Sequence, residues 1–230
     1  MRVFSYIVSK DFGYAPNPFH GVCTLACCKP AVRRSAQPGD LIFGLTTKER
    51  GSRLVYGMLV TERLTFEQYW HDPRFRSKQP DMTSAKGVDR RGDNHYEPVG
   101  DHVFRQHPSR HSNPDGSVNE KQMSIDLGPD RRNPVLVGER FCYFGQEAIQ
   151  LPSELRFLVV GRAHRCIFTS EQIRLAVEAF EGLPQGILSF PSRWTVGDES
   201  WQSHRTTSQA LGRILGSTMG RSPRDGGHCG

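Results

Sequence analysis

No apolar run in this 230-residue chain approaches the roughly 18 residues that a bilayer-spanning helix needs. Mean hydropathy is −0.54, and a transmembrane helix is excluded on both grounds. The opening residues, Met1-Arg2-Val3-Phe4-Ser5-Tyr6-Ile7-Val8, alternate as a strand does. They lack the apolar core of a signal peptide, roughly 7–15 residues, so a cytoplasmic location is expected. Six cysteines in a chain of this length do not make a disulfide scaffold and read as reduced thiols. Cys23-x3-Cys27-Cys28 lacks the second close pair that a four-ligand zinc site requires, because Cys142 and Cys166 stand 24 residues apart. No metal and no cofactor are therefore expected, and Cys142 and Cys166 are read as buried thiols of apolar strands. A Walker A loop, a Gly-x-Gly-x-x-Gly turn, a Gly-x-Ser-x-Gly elbow, the kinase set and the zinc-deaminase pattern are all missing. ATPases, dinucleotide enzymes and α/β-hydrolases drop out with them.

Lysine is scarce and arginine is not: 24 of the 30 basic residues are Arg, in a chain of net charge +6. The whole excess lies in residues 29–91, where thirteen basic residues face seven acidic ones. A basic face there would attract phosphates, whereas scattered charges would simply solvate the surface.

Residues 1–9 are expected to form a first strand. Next comes an aromatic loop rich in glycine and proline, Asp11-Phe12-Gly13-Tyr14-Ala15-Pro16-Asn17-Pro18-Phe19-His20-Gly21. The turn Pro38-Gly39-Asp40 leads into a buried hairpin of residues 41–45 and 54–60. Thr65 and Gln68 make a capping-box pattern for a short helix that Asp72-Pro73 ends. From 74 to 133 apolar periodicity collapses, which predicts a long functional insertion. Strands are expected again at 134–137, 140–145 and 155–160. Thr169-Ser170-Glu171-Gln172 opens a helix with Ile173, Val177 and Phe180 on one face, stopped by Gly182 and Pro184. Residues 1–210 read as one domain and 211–230 as a flexible tail. The fold class is α+β: a curved mixed or antiparallel sheet, or pseudo-barrel, with a few short helices.

Five of nine histidines (His71, His95, His102, His107 and His111) fall within the 41 residues from 71 to 111, near Asp93, Asp101 and Asp115, the materials of acid–base chemistry. Gly92-Asp93-Asn94-His95-Tyr96 and the stretch from Ser109 to Ser117 have equally the composition of plain turns. Cys23 follows His20 by three residues, a spacing open to a nucleophile with its base. Tyr69-Trp70 lies beside Arg74, Arg76 and Lys78, an interleaving suited to stacking an unpaired base. Phe66, Tyr69 and Trp70 also stand at the i, i+3, i+4 spacing of a helix's buried side.

Several of these segments occur in order with others. Tyr14-Ala15-Pro16-Asn17-Pro18-Phe19-His20-Gly21-Val22-Cys23-Thr24-Leu25-Ala26-Cys27-Cys28-Lys29-Pro30 is followed by Arg33-Arg34, Gly39-Asp40 and Leu64-Thr65-Phe66-Glu67-Gln68-Tyr69-Trp70-His71-Asp72-Pro73-Arg74-Phe75. Then come Gly92-Asp93-Asn94-His95-Tyr96, His111-Ser112-Asn113-Pro114-Asp115-Gly116-Ser117 and Phe141-Cys142-Tyr143-Phe144-Gly145. Over residues 1–160 this series resembles the second type of nucleotide-modification-associated domain, itself similar to the PUA-like group with EVE, ASCH and YTH domains. The resemblance implies a curved sheet or pseudo-barrel of PUA-like type with a pocket for a modified base, in a bacterial or phage base-modification or defence setting.

On that reading the protein binds a modified or flipped base, in DNA rather than RNA. Phe12, Tyr14, Asn17, Phe19, His20, Cys23, Tyr69, Trp70, Asn94 and His95 would line or face the pocket, with Asp93 adding hydrogen bonds to the base edge. Lys29, Arg33, Arg34, Arg74 and Arg76 would hold phosphates. The alternative is an enzyme acting on a modified base, glycosylase-like, with Asp93, His111 and Asp115 as catalytic candidates. A third reading is an interaction protein of a modification or defence operon whose middle segment orders on a partner protein. No membrane contact is expected.

Overall fold

The computed structural model describes residues 1–161 and 163–195; the tail expected over 211–230 lies outside the described residues. In chain order the elements are β1 (Val3–Ile7), β2 (Cys23–Leu25), α1 (Pro30–Ser35), β3 (Leu41–Leu45), β4 (Leu54–Leu59), β5 (Glu62–Leu64), α2 (Phe66–His71), β6 (Tyr96–Gly100) and β7 (Val103–Gln106). They continue with α3 (Glu120–Leu127), β8 (Val135–Gly138), β9 (Arg140–Tyr143), β10 (His164–Arg165), α4 (Ser170–Gly182) and β11 (Gly186–Ile187). Among the described residues no helix is long and apolar enough to cross a membrane.

A mixed six-stranded sheet runs β10-β1-β3-β4-β9-β11, with β1 and β3 parallel and β4 antiparallel to both β3 and β9. A three-stranded sheet, β2-β8-β5, and the hairpin β6-β7 complete the strands. The large sheet ends in β10 and β11 and does not close, so the described residues form a mixed α+β fold with several sheets and few helices, and among them there is no closed barrel. The chain passes from the large to the small sheet between β4 and β5 and back between β8 and β9. At that second corner a Cβ on Gly138 would stand 2.7 Å from the Leu59 carbonyl oxygen, which is why a glycine sits there.

Alternation along the strands buries the large sheet on both faces. Phe4, Tyr6, Ile42, Met58, Phe141 and Tyr143 face the small sheet. Val3, Leu41, Phe43, Leu45 and Cys142 face α4, where Phe180 and Ala176 pack. The far side of the small sheet packs Val135 and Val137 against Tyr14, Phe66, Tyr69, Tyr96 and Met123, so the insertion forms a third layer.

Two expectations are corrected. Residues 155–160 are not a strand: Ser153–Leu158 is a 3₁₀ turn after Pro152, and the buried pair Leu155 and Leu158 follows its three-residue period. Cys166 is exposed rather than buried in a strand, while Cys142 is buried in β9 as expected. The insertion is built differently from the rest. Lys78, Arg91, Asp93, Asn94, His95, Gln106, Asp126 and Asn133 are all buried in or beside it. Hydrogen bonds of these groups, together with the buried Phe75, Tyr96, Met123 and Leu127, hold it to the sheets.

A candidate thiol centre beside the insertion

The sequence-selected residues fall into two clusters. In the first, Asp93 is fully buried and accepts hydrogen bonds from the Thr24 hydroxyl and the Tyr69 hydroxyl, each at 2.7 Å. Burial pushes its carboxyl above the usual range, opposed by the Lys78 charge and these two hydroxyls. Lys78 is fully buried too and donates to the Asn17 side-chain oxygen (2.9 Å) and carbonyl (3.2 Å). Burial pushes it down to about 8, with Asp93 opposing. Asn17 donates to the Arg91 carbonyl at 2.7 Å, and Asn94 to the Tyr69 carbonyl at 2.9 Å. Phe19 and Cys23 are buried in the core as well, and burial pushes the Cys23 thiol up. His20, half-buried in the left-handed region at φ 62, is held down by burial. Trp70 stacks on His107 at 5.1 Å between centroids. Asn17, Tyr69, Asp93 and Asn94 thus join one interior network that pins the aromatic loop to the insertion.

The basic residues differ in reach. Arg33 is fully buried and donates to the carbonyls of Pro134 and Asp126, both at 2.8 Å, so no phosphate can meet it in this arrangement. Lys29 donates to the Ile7 carbonyl at 2.8 Å and lies over the Tyr6 ring. Arg74 is ion-paired with Glu62 (2.6 Å) and Asp72 (2.7 Å). Arg34 and Arg76 are exposed. Asp115, also exposed, closes a turn with the Ser117 amide (3.0 Å) and hydroxyl (2.6 Å).

The second cluster surrounds His111 and draws in residues that sequence reasoning missed. Nδ1 of His111 lies 2.6 Å from Asp126 Oδ2, and its Nε2 lies 3.6 Å from Cys28 Sγ. Asp126 projects from α3 and is fully buried, its Oδ1 accepting the Cys28 amide at 2.8 Å and its Oδ2 the Tyr96 hydroxyl at 3.0 Å. Cys28 and Lys29, between β2 and α1, both adopt left-handed backbone, φ 58 and φ 43. Side chains rarely take that conformation, and two in succession are held only because their surroundings fix them. Burial pushes His111 down, but the Asp126 carboxylate and the Cys28 thiol outweigh it and lift the imidazole to about 9. Burial likewise pushes Asp126 up, yet the His111 bond and charge, with the Cys28 amide, leave its carboxyl below the usual range.

Next to His111, His95 is fully buried, with Nδ1 3.1 Å from the Asp93 carbonyl, and burial drives it down to about 3. Cys27 is buried beside it, its Sγ 3.6 Å from the Tyr14 hydroxyl. No metal site follows from cysteine spacing, yet the fold brings Cys27, His95, His111 and Asp126 together, their donor atoms all within 4.8 Å of one another.

Cys28 is half-buried and lines a cavity of about 230 Å³ with Ile7, Lys10, Ala15, Lys29 and Gln122. Chemically the order is sulfur, imidazole, carboxylate: a nucleophile, a protonated ring within reach of the sulfur, and a buried carboxylate that fixes the ring's orientation and balances its charge. Two local signs point to it. One is the Cys27-Cys28 doublet. The other is Asp126 on the buried side of α3 with Met123 and Leu127, a place where an unpaired carboxylate would be costly.

A family model described as nucleotide modification associated domain 2 matches residues 1–198. No curated protein and no solved structure matches the chain.

Proposed function

The chain belongs to the nucleotide modification associated domain 2 family, and from that premise we propose that it is an enzyme acting on a nucleotide substrate through Cys28 as covalent nucleophile. The observation that carries this reading is the Cys28–His111–Asp126 series, whose Cys28 lines the cavity. Cys28 Sγ attacks an electrophilic carbon of the bound nucleotide as the thiolate, its proton having gone to solvent, beside the imidazolium of His111. The electron pair displaced at that carbon passes to the leaving atom, which collects the proton from His111. Water, giving a proton to the same imidazole now neutral, then cleaves the carbon–sulfur bond and restores the thiolate beside the imidazolium. Asp126 holds the ring and balances the imidazolium. Lys10 at the cavity and the exposed Arg34 and Arg76 are the cations offered to phosphates, in nucleic acid or in a free nucleotide.

Recognition of a modified base without turnover, in the manner of a PUA-like reader, is the second reading. The Gln122 amide at the cavity favours it, since an amide can both donate to and accept from a base edge. The two are separated by incubating the full chain with single-stranded and duplex oligonucleotides carrying plain, hydroxymethylated or glycosylated cytosine. Intact mass would reveal an adduct, and digestion to nucleosides would reveal product. The enzyme reading expects adduct or product that Cys28→Ala and His111→Gln abolish and Asp115→Asn leaves intact. In parallel, iodoacetamide should label Cys28 ahead of the exposed Cys166, with His111→Gln slowing Cys28 at least tenfold. Product formed equally by Cys28→Ala, or a labelling rate indifferent to His111, would overturn it.

A further inference from the structure

We propose that Cys27, His95, His111 and Asp126 bind one zinc-class divalent cation, and that the ion silences Cys28 by taking His111 and Asp126 away from it. The silencing half rests on the thiol reading above; the binding half stands on geometry alone. Four separate segments deliver the donors: Cys27 from the turn after β2, His95 from just before β6, His111 from the loop after β7, and Asp126 from α3. One thiolate, two imidazoles and one carboxylate make the mixed sulfur–nitrogen–oxygen set that zinc accepts in four-coordinate sites.

Metal–ligand bonds of about 2.0–2.3 Å in a tetrahedron place donor atoms roughly 3.3–3.8 Å apart. The widest separation here, up to 4.8 Å, would have to close by about an ångström. His111 is the only one of the four residues that is not fully buried, its side chain 15% exposed, so it marks the way in.

The surroundings are those that orient metal ligands. His95 turns Nδ1 toward the Asp93 carbonyl at 3.1 Å, which leaves Nε2 with a lone pair to give. The Tyr14 hydroxyl lies 3.2 and 3.3 Å from the two nitrogens of that ring, committed to neither, and 3.6 Å from Cys27 Sγ. The Asp126 carboxylate is already fixed by the Cys28 amide and the Tyr96 hydroxyl. On binding, Cys27 gives its thiol proton to solvent, and His111 gives up the proton it shares with Asp126. With the ion in place of the Nδ1 proton the ring is no longer an imidazolium, so it cannot both hold the ion and serve Cys28 through Nε2 as a charged donor.

The test uses the full chain, stripped with chelator and dialysed. Titration with Co²⁺ should raise a thiolate-to-cobalt absorption that saturates at one ion per chain, is displaced by Zn²⁺, and is lost in Cys27→Ser but kept in Cys28→Ala. His95→Gln, a milder change, should weaken Co²⁺ at least tenfold while far-ultraviolet dichroism stays that of the wild type. Stoichiometric Zn²⁺ should slow iodoacetamide labelling of Cys28 at least tenfold, with chelator restoring it. No cobalt band and no zinc retained on equilibrium dialysis of the wild type would overturn the site, as would a band that survives Cys27→Ser and vanishes in Cys28→Ala. A saturable band with Cys28 labelling untouched by zinc would overturn the silencing. Sluggish Cys28 in the stripped protein would count against the thiol reading, while the cobalt band would still decide the site.

Discussion

Replacing Asp126 by Asn removes one charge from the His111 pair while keeping its shape and an oxygen for the Cys28 amide. Its effect on stability should depend on pH in a defined way. His111 is lifted from the ordinary 6.5 to about 9, chiefly against burial and by the Asp126 carboxylate. At about 1.4 kcal/mol per pH unit, that lift is worth on the order of 3 kcal/mol. A folded-state pKa above the unfolded one means the contribution is complete below about 6.5 and is lost as pH rises through about 9. Asp126 itself lies below the usual carboxylate range, so its share is present above the unfolded value of about 4 and disappears as pH falls further. The variant should therefore be about 3 kcal/mol less stable near pH 6 and within about 1 kcal/mol of wild type at pH 9.5. Urea unfolding of both proteins in chelator, at several pH values from 5 to 9.5, reads this as a gap between midpoints at constant slope. Lys78, depressed to about 8, adds an opposite trend between 8 and 10.5, but it is present in both proteins and cancels in the difference. A gap that stays the same from pH 5 to 9.5 would refute the argument, and Asp126 would then act through shape and neutral hydrogen bonds alone.

Lys78 gives its own prediction with the reverse sign: its folded pKa is lowered by burial, so wild-type stability should rise between about pH 8 and 10.5, and Lys78→Met should flatten that rise in the same urea series. Gly44→Ala would drive a Cβ into the Tyr56 ring and to 2.7 Å from a Val8 methyl, beside the Tyr6–Tyr56 hydroxyl contact of 2.6 Å. Overpacking of that kind costs at least about 2 kcal/mol, or roughly 4–8 °C in Tm at this chain length, measurable by calorimetry. Thr65→Ala removes one arm of the α2 capping box, whose Thr65 hydroxyl accepts the Gln68 amide at 3.1 Å. It should cost about 1 kcal/mol, with amide exchange quickening at Gln68 and leaving α4 unchanged.

What could be read directly from the sequence was local. The buried hairpin of β3 and β4, the two capping boxes at Thr65–Gln68 and Thr169–Gln172, and the inward side of α4 all depend on residues within a few positions of each other. The insertion could not be read that way, because much of its interior is Lys78, Asp93, Asn94 and Asp126 in hydrogen bonds, and its buried apolar residues, Phe75, Tyr96, Met123 and Leu127, keep no persistent period. The composition there pointed to Asp115, and the fold places it in an exposed turn. His111 was singled out, but its partners lay elsewhere. Cys28 is 83 residues away, and the carboxylate that holds its amide comes from 98 residues along. Spacing rules cannot see contacts at such range. One local feature did hold the information: on α3, Asp126 occupies the i+3 position from Met123 and precedes Leu127, inside an otherwise apolar side. A buried carboxylate without a partner costs several kcal/mol, so its place in the sequence already requires that a donor come to meet it. The donors that arrive are His111, Tyr96 and the amide of Cys28, and that requirement is what gathers the thiol, the imidazole and the acid into one centre.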